Sequence, residues 1–199
     1  ATTGHATIEV QYPYDGRTVA SVCVPSAEHA ENAVAAAYAA RGVVGATPAY
    51  RRAAALSHVA QRLEQRTEEA AQVIVLESGK PIKWARIEVA RAVSTFRWAA
   101  EEARRWSGTV QRLDTDPGGA GRIALVRRFP RGPLLAVTPF NFPLNLVAHK
   151  VAPAIAVGAP VIAKPAPATP LSSLLLGQLL AETDLPDGAW SVLPVPNSQ

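Results

Sequence analysis

Apolar positions between residues 81 and 107 recur every three or four residues: Ile82, Ala85, Val89, Ala92, Val93, Phe96, Ala99, Ala103 and Trp106. That spacing predicts a long helix over 81–107 with one buried stripe, ended by Gly108. Trp84, Ile87, Arg91 and Trp98 repeat on the other side, so the helix is expected to be buried on two sides with one arginine inside the second face. Three shorter helices are expected upstream. The first is alanine-rich, capped by Ser26 and ended by Gly42. The second opens at Pro48, a good first-turn residue. The third follows Thr67 and stops at Gly79. Before them, residues 8–12 and 18–24 read as short strands around Asp15-Gly16, a pair that favours a tight reversal.

The pattern changes after this helix. Residues 109–113 and 122–129 predict a hairpin around Asp116-Pro117-Gly118-Gly119-Ala120-Gly121. The tip reads as too glycine-rich to pack, so the hairpin is expected to be an exposed arm. No Gly-Lys-Ser/Thr follows it, which excludes a phosphate loop there. Leu134-Leu135-Ala136-Val137 is an unbroken apolar run, as expected of a strand buried on both faces. Helices over 143–157 and 170–183 then alternate with strands over 160–163 and 189–193. Strand, helix, strand, helix, strand implies an α/β fold with a doubly wound, Rossmann-like parallel sheet. The expected division is 1–108 for the hairpin and helices, 109–130 for the arm and 131–199 for the first half of the sheet.

Composition narrows the class. With 199 residues, 48% of them hydrophobic, the chain can bury a substantial core as one domain or one and a half. No apolar run approaches the ~18 uncharged residues a membrane helix needs, so no membrane partner is expected. Ala1 to His5 have neither the basic nor the apolar region of a secretory leader. Cys23 is the single cysteine, so no internal disulfide can form, and a reducing, cytoplasmic setting is expected. The net charge of +4 comes from arginine pairs scattered among acids, not from a basic stripe with aromatics, which argues against nucleic acid. The chain contains no methionine, and it stops soon after its last strand. It is therefore expected to be a truncated or proteolysed piece of a longer protein.

Doubly wound sheets bind ligands beyond the carboxyl ends of their strands. Two segments fall there: Thr138-Pro139-Phe140-Asn141-Phe142-Pro143, and Lys164 through Pro170. Asn141, where a strand turns into a helix, reads either as a helix cap or as an amide donor aimed at a developing oxyanion. Lys164, ending a buried strand, reads either as a snorkelling lysine or as a partner for ribose hydroxyls or a 2′-phosphate. The usual GxGxxG fingerprint is absent. Cys23 reads as a small buried hydrophobe. His5, His29, His58 and His149 show no metal-ligand spacing, and no metal site is expected.

Together the motifs resemble the aldehyde dehydrogenase superfamily over nearly the whole chain. A hairpin motif stands as Tyr12-Pro13-Tyr14-Asp15-Gly16. A "GKP" segment stands as Glu77-Ser78-Gly79-Lys80-Pro81. The family's "PWNFP" appears as Pro139-Phe140-Asn141-Phe142-Pro143, and its "KPAxxTP" as Lys164 through Pro170. The resemblance implies the N-terminal part of an NAD- or NADP-dependent oxidoreductase that converts an aldehyde to a carboxylic acid. It implies that the Asn141 amide helps form the oxyanion hole for a thiohemiacetal. It implies that Lys164 contacts the adenosine ribose, within a cofactor-binding segment that includes Pro165, Ala166 and Pro167. Thr138, Pro139 and Phe140 match the backbone beside the nicotinamide, and Lys150 matches a lysine near the catalytic centre.

Pro167 departs from the family, where many NAD-preferring members carry glutamate. Without that carboxylate a 2′-phosphate is not repelled, so NADP is admitted beside NAD and the choice between them stays open. The family's cysteine, glutamate base and glycine-rich loop come later in the chain, so these 199 residues are expected to be inactive alone, without a catalytic domain. The wording around Arg91, Asn145 and His149 is similar to members acting on small polar or phosphonate- and phosphate-bearing aldehydes. Arg91 reads either as an anion anchor or as a surface arginine covering apolar neighbours. A homo-oligomer is expected. The alternative is a stand-alone, non-catalytic nucleotide-binding or interaction module.

Overall fold

The computed structural model describes residues 6–197; His5, and the expectations placed on Ala1 to His5, lie outside the described residues. β1 (Thr7–Gln11) and β2 (Thr18–Cys23) pair antiparallel. Within β2 the alternation turns Val22 inward and leaves Cys23 exposed, which corrects the expectation of a buried thiol.

Four helices follow: α1 (Ala27–Ala46), α2 (Ala49–Gln65), α3 (Thr67–Ser78) and α4 (Ile82–Arg105). Ser26 caps α1 as expected, accepting from the His29 N–H at 3.2 Å. The helix does not stop at Gly42. Interior glycine costs only about 1 kcal/mol, and the next turn buries Val44. It ends instead at Thr47, just before Pro48, whose ring cannot continue a helix. Gly79 sits in the left-handed region at φ +68°, where it reverses the chain from α3 into α4.

The expected stripe of α4 is the centre of the core. Ala85, Val89, Ala92 and Phe96 are fully buried, in one cluster with Leu56 and Leu63 of α2 and Ile74 of α3. Each such large side chain contributes about 1.5–3 kcal/mol by leaving water. The second face of α4 is not buried. Trp84 is 56% and Trp98 67% exposed, and no described element covers them.

β3 (Thr109–Arg112) and β4 (Ile123–Val126) form the antiparallel hairpin. Its tip is packed rather than loose. Pro117–Gly119 make a short 3-10 turn, and a Cβ on Gly119 would lie 1.7 Å from the Leu113 carbonyl oxygen. Only glycine allows the tip to fold back this closely.

β5 (Leu134–Val137), β6 (Val161–Lys164) and β7 (Trp190–Val192) form a parallel sheet in the order β5-β6-β7, linked by α5 (Asn145–Val157) and α6 (Leu171–Ala181). The row Ala136, Ala163 and Val192 faces the core that α5 and α6 share with α2–α4. The opposite row, Leu135 and Ile162, faces α1 across a cleft. Helices thus stand on both sides of the sheet. β5, however, is an edge strand, and Leu135 is 68% exposed, so this run is not buried on both faces. Among the described residues no helix is long and apolar enough to cross a membrane.

Candidate functional site at the carboxyl ends of the strands

The parallel register brings Val137 beside Lys164, so both loops leave the sheet from one edge. The Thr138 N–H donates to the Lys164 carbonyl at 3.1 Å, which carries the ladder one residue past β5. Thr138 is buried, whereas Pro139 and Phe140 are exposed. Lys164 is half-buried, and its Nζ donates to Asn197 Oδ1 at 2.9 Å. Asn197 lies beyond β7, so three strand ends meet there; no sequence pattern pointed to it.

Lys164 stands at the end of a 360 Å³ cleft in which Ala27, Ala30 and Val34 of α1 face Leu135, Ile162 and Leu193. Glu31 of α1 also borders the cleft, and a mostly apolar trough bordered by one ammonium and one carboxylate fits a flat ring system carrying hydroxyls. Pro165 is buried, and Ala166 and Pro167 are half-buried in a turn closed by the Thr169 N–H on the Ala166 carbonyl at 3.0 Å. The described residues therefore fit the adenosine side of a dinucleotide, with no carboxylate at position 167.

Asn141 lies on the loop after β5. Its side chain is exposed and makes no hydrogen bond among the described residues. It does not cap α5, because another residue does. Glu88 Oε1 accepts the N–H groups of Leu144, at 3.0 Å, and of Asn145, at 3.1 Å. The free N–H groups and dipole at a helix start favour a carboxylate. The Glu88 side chain is wholly buried, and Lys80 pairs with it. Lys80 Nζ also donates to the Asn141 carbonyl at 2.9 Å and lies 4.0 Å from the centre of the Phe142 ring.

Glu77 does the same for α6. It accepts the Leu171 N–H at 2.6 Å, the Ser172 N–H at 3.1 Å and the Ser172 hydroxyl. Burial pushes its pKa up to about 7, against the pull of those three donors; the nearby Glu88 charge adds to the rise. The end of α3 and the first part of α4 thus clamp the starts of both helices that follow the two loops. Neither acid had been expected to act. Glu88 could have been found as the one charge on the buried stripe of Ala85, Val89 and Ala92, and Glu77 likewise beside Ile74.

A 410 Å³ cleft joins the loops, bordered by Pro13, Lys80, Phe140, Asn141, Ala168 and Thr169. Thr169 is buried, and its hydroxyl has no partner among the described residues. Of the residues expected near a substrate, Arg91 is exposed on α4 with its guanidinium 5.5 Å from the Phe142 ring. His149 and Lys150 are exposed on α5. Asn145 is buried in the first turn of α5, with Oδ1 unpartnered among the described residues. The site thus presents one free amide, one ammonium and one guanidinium around Phe142, and an apolar cleft one strand away. The only thiol, Cys23, lies on β2, outside both clefts.

Comparison with known proteins accords with this geometry. The aldehyde dehydrogenase family model matches residues 1–199. The chain is 41% identical over 189 residues to aspartate-semialdehyde dehydrogenase 1 of Pseudomonas canavaninivorans, covering 93% of this chain and 39% of that protein. The crystal structure of aldehyde dehydrogenase 21 from Physcomitrella patens, in complex with the reaction product succinate, matches with a TM-score of 0.94 and 45% identity, over 100% of this chain and 41% of that one. NADP-dependent glyceraldehyde-3-phosphate dehydrogenase from Bacillus halodurans C-125, complexed with NADP, matches with a TM-score of 0.91 and 35% identity, over 97% of this chain and 41% of that one. Solved neighbours include complexes with NADP and with nicotinamide adenine dinucleotide. The chain spans roughly two fifths of the length of these relatives and aligns with their N-terminal portion. It belongs to the aldehyde dehydrogenase family.

Proposed function

We propose that this chain is the cofactor-binding part of an enzyme that oxidises an aldehyde to a carboxylic acid, with NAD or NADP as hydride acceptor. One observation carries the reading. Asn141 presents a free side-chain amide at the carboxyl end of β5, one strand from Lys164 and its apolar cleft. The amide is the oxyanion donor, and Lys164 is the contact for the adenosine ribose. Pro139 and Phe140 line the nicotinamide side, and Pro165, Ala166 and Pro167 the ribose side. The thiol and the base belong to the rest of the enzyme, so these 199 residues alone do not turn over.

The substrate is a small anionic aldehyde. The Arg91 guanidinium lies 5.5 Å from the Phe142 ring, and a guanidinium suits a carboxylate, sulfonate or phosphonate. His149 lies on the helix packed against that of Arg91. Exposed apolar residues on the hairpin and on β5, among them Ile123, Leu125 and Leu135, support assembly with further copies.

The test is turnover of the whole protein, read as nicotinamide reduction with carboxylate- and phosphonate-bearing aldehydes. Because Pro167 offers no carboxylate, kcat/KM with NADP is expected to equal or exceed that with NAD. Activity with NAD alone would remove the reading of Pro167. Nucleotide binding without turnover of any aldehyde would leave a non-catalytic module.

A further inference from the structure

We propose that Lys80 and Glu88 are positioning residues that fix the main chain at Asn141 and so aim its side-chain amide. This rests on the reading of Asn141 as the oxyanion donor. Contacts at residues 141, 142, 144 and 145 constrain the loop. Lys80 Nζ holds the Asn141 carbonyl at 2.9 Å, stands 4.0 Å from the Phe142 ring, and pairs with Glu88, which holds the Leu144 and Asn145 N–H groups. A carbonyl fixed at residue 141 sets the peptide plane from which its Cα–Cβ bond leaves.

A helix cap alone does not account for this arrangement. Capping α5 needs only the carboxylate, whereas the lysine spends a second hydrogen bond on a backbone carbonyl 61 positions away. Lys80 and Glu88 are also well shielded, with side-chain exposures of 15% and 0%. In so dry a setting the Lys80–Glu88 pair is held more strongly than it would be in water, and it anchors the ammonium that reaches out to the more exposed Asn141 carbonyl. Among the described residues the Asn141 side chain has no hydrogen-bond partner that could set its direction. The direction must come from the backbone, and the backbone is held by Lys80.

The experiment is a kinetic cycle in the whole enzyme with Lys80→Met, Asn141→Ala and the double variant. Methionine keeps much of the stem against Phe142 and removes the ammonium. A misaimed donor is expected to lower kcat roughly ten- to a hundred-fold. The KM for the aldehyde and the Kd for the nucleotide should stay within about three-fold, and Lys80→Arg should restore most of the loss. In the Asn141→Ala background, Lys80→Met should cost less than about three-fold more, because the group it aims is gone.

If Lys80→Met folds poorly with Glu88 left unpaired, K80M/E88Q carries the same test. Its neutral amide still offers an oxygen to Leu144 and Asn145, and the 141–145 amides should exchange faster at an unchanged unfolding temperature. Losses that multiply between Lys80→Met and Asn141→Ala, or an unchanged kcat in Lys80→Met, would overturn the proposal. Wild-type kcat in Asn141→Ala would instead overturn the oxyanion reading on which it rests.

Discussion

The residues that shape this site most are two carboxylates placed where carboxylates are expensive. Glu77 and Glu88 sit in the core at 2% and 1% exposure, each answering the bare N–H groups of a helix start. For Glu77 the cost of burial shows in titration. Glu77 has its pKa raised by burial from 4.5 to about 7, so the folded state binds this proton more tightly than the unfolded chain. Its stabilising contribution is complete below about pH 4.5 and is lost as pH rises through 7. The span is worth roughly 3 kcal/mol. Glu77→Gln removes the titration. The stability difference between wild type and Glu77→Gln, from denaturant unfolding at pH 5 and pH 8, should therefore shift against wild type at the higher pH. A difference constant with pH would show that the three donors, not burial, control this group. Both acids escaped notice because single glutamates on helices are usually solvated; only their alignment with Ile74 and with Ala85, Val89 and Ala92 marked them.

At the scale of elements, periodicity was a sound guide to what exists and a weaker one to where it ends. The α4 stripe was readable because helix burial requires apolar residues at that spacing. Its second face, Trp84 to Trp98, carries the same signature but meets nothing among the described residues, since spacing says what can be buried and not what arrives to bury it. The hairpin was legible for the same reason, but its tip was not. Glycines permit looseness and also permit contact closer than any side chain allows, and here Gly119 closes the tip against Leu113. Gly119→Ala must push the backbone apart at that point, at about 1–3 kcal/mol. Faster amide exchange should appear in β3 and β4 with little change in α2, α4 and α5. Unchanged protection in the hairpin would contradict the packed tip.

Taken whole, the molecule is a three-stranded parallel sheet with α2–α6 against one face and α1 across a cleft from the other, its strand ends aimed at two clefts. The order of strands and helices was legible because each crossover alternates a short apolar run with an amphipathic one. Asn141 and Lys164 were legible as candidates because polar residues at the ends of apolar strands stand out. The choice between cap and donor for Asn141 was not, since it depends on Glu88, more than fifty residues away in the chain. The central claim is that Asn141 is free to act on a bound substrate because Glu88 has taken over the helix start. The most direct measurement is kcat of Asn141→Ala in the whole enzyme, set beside nucleotide Kd and unfolding temperature. Loss of an oxyanion donor should lower kcat by about 10²–10³, with binding and stability unchanged. A kcat held at the wild-type level, or a fall in kcat matched by a fall in stability, would contradict it.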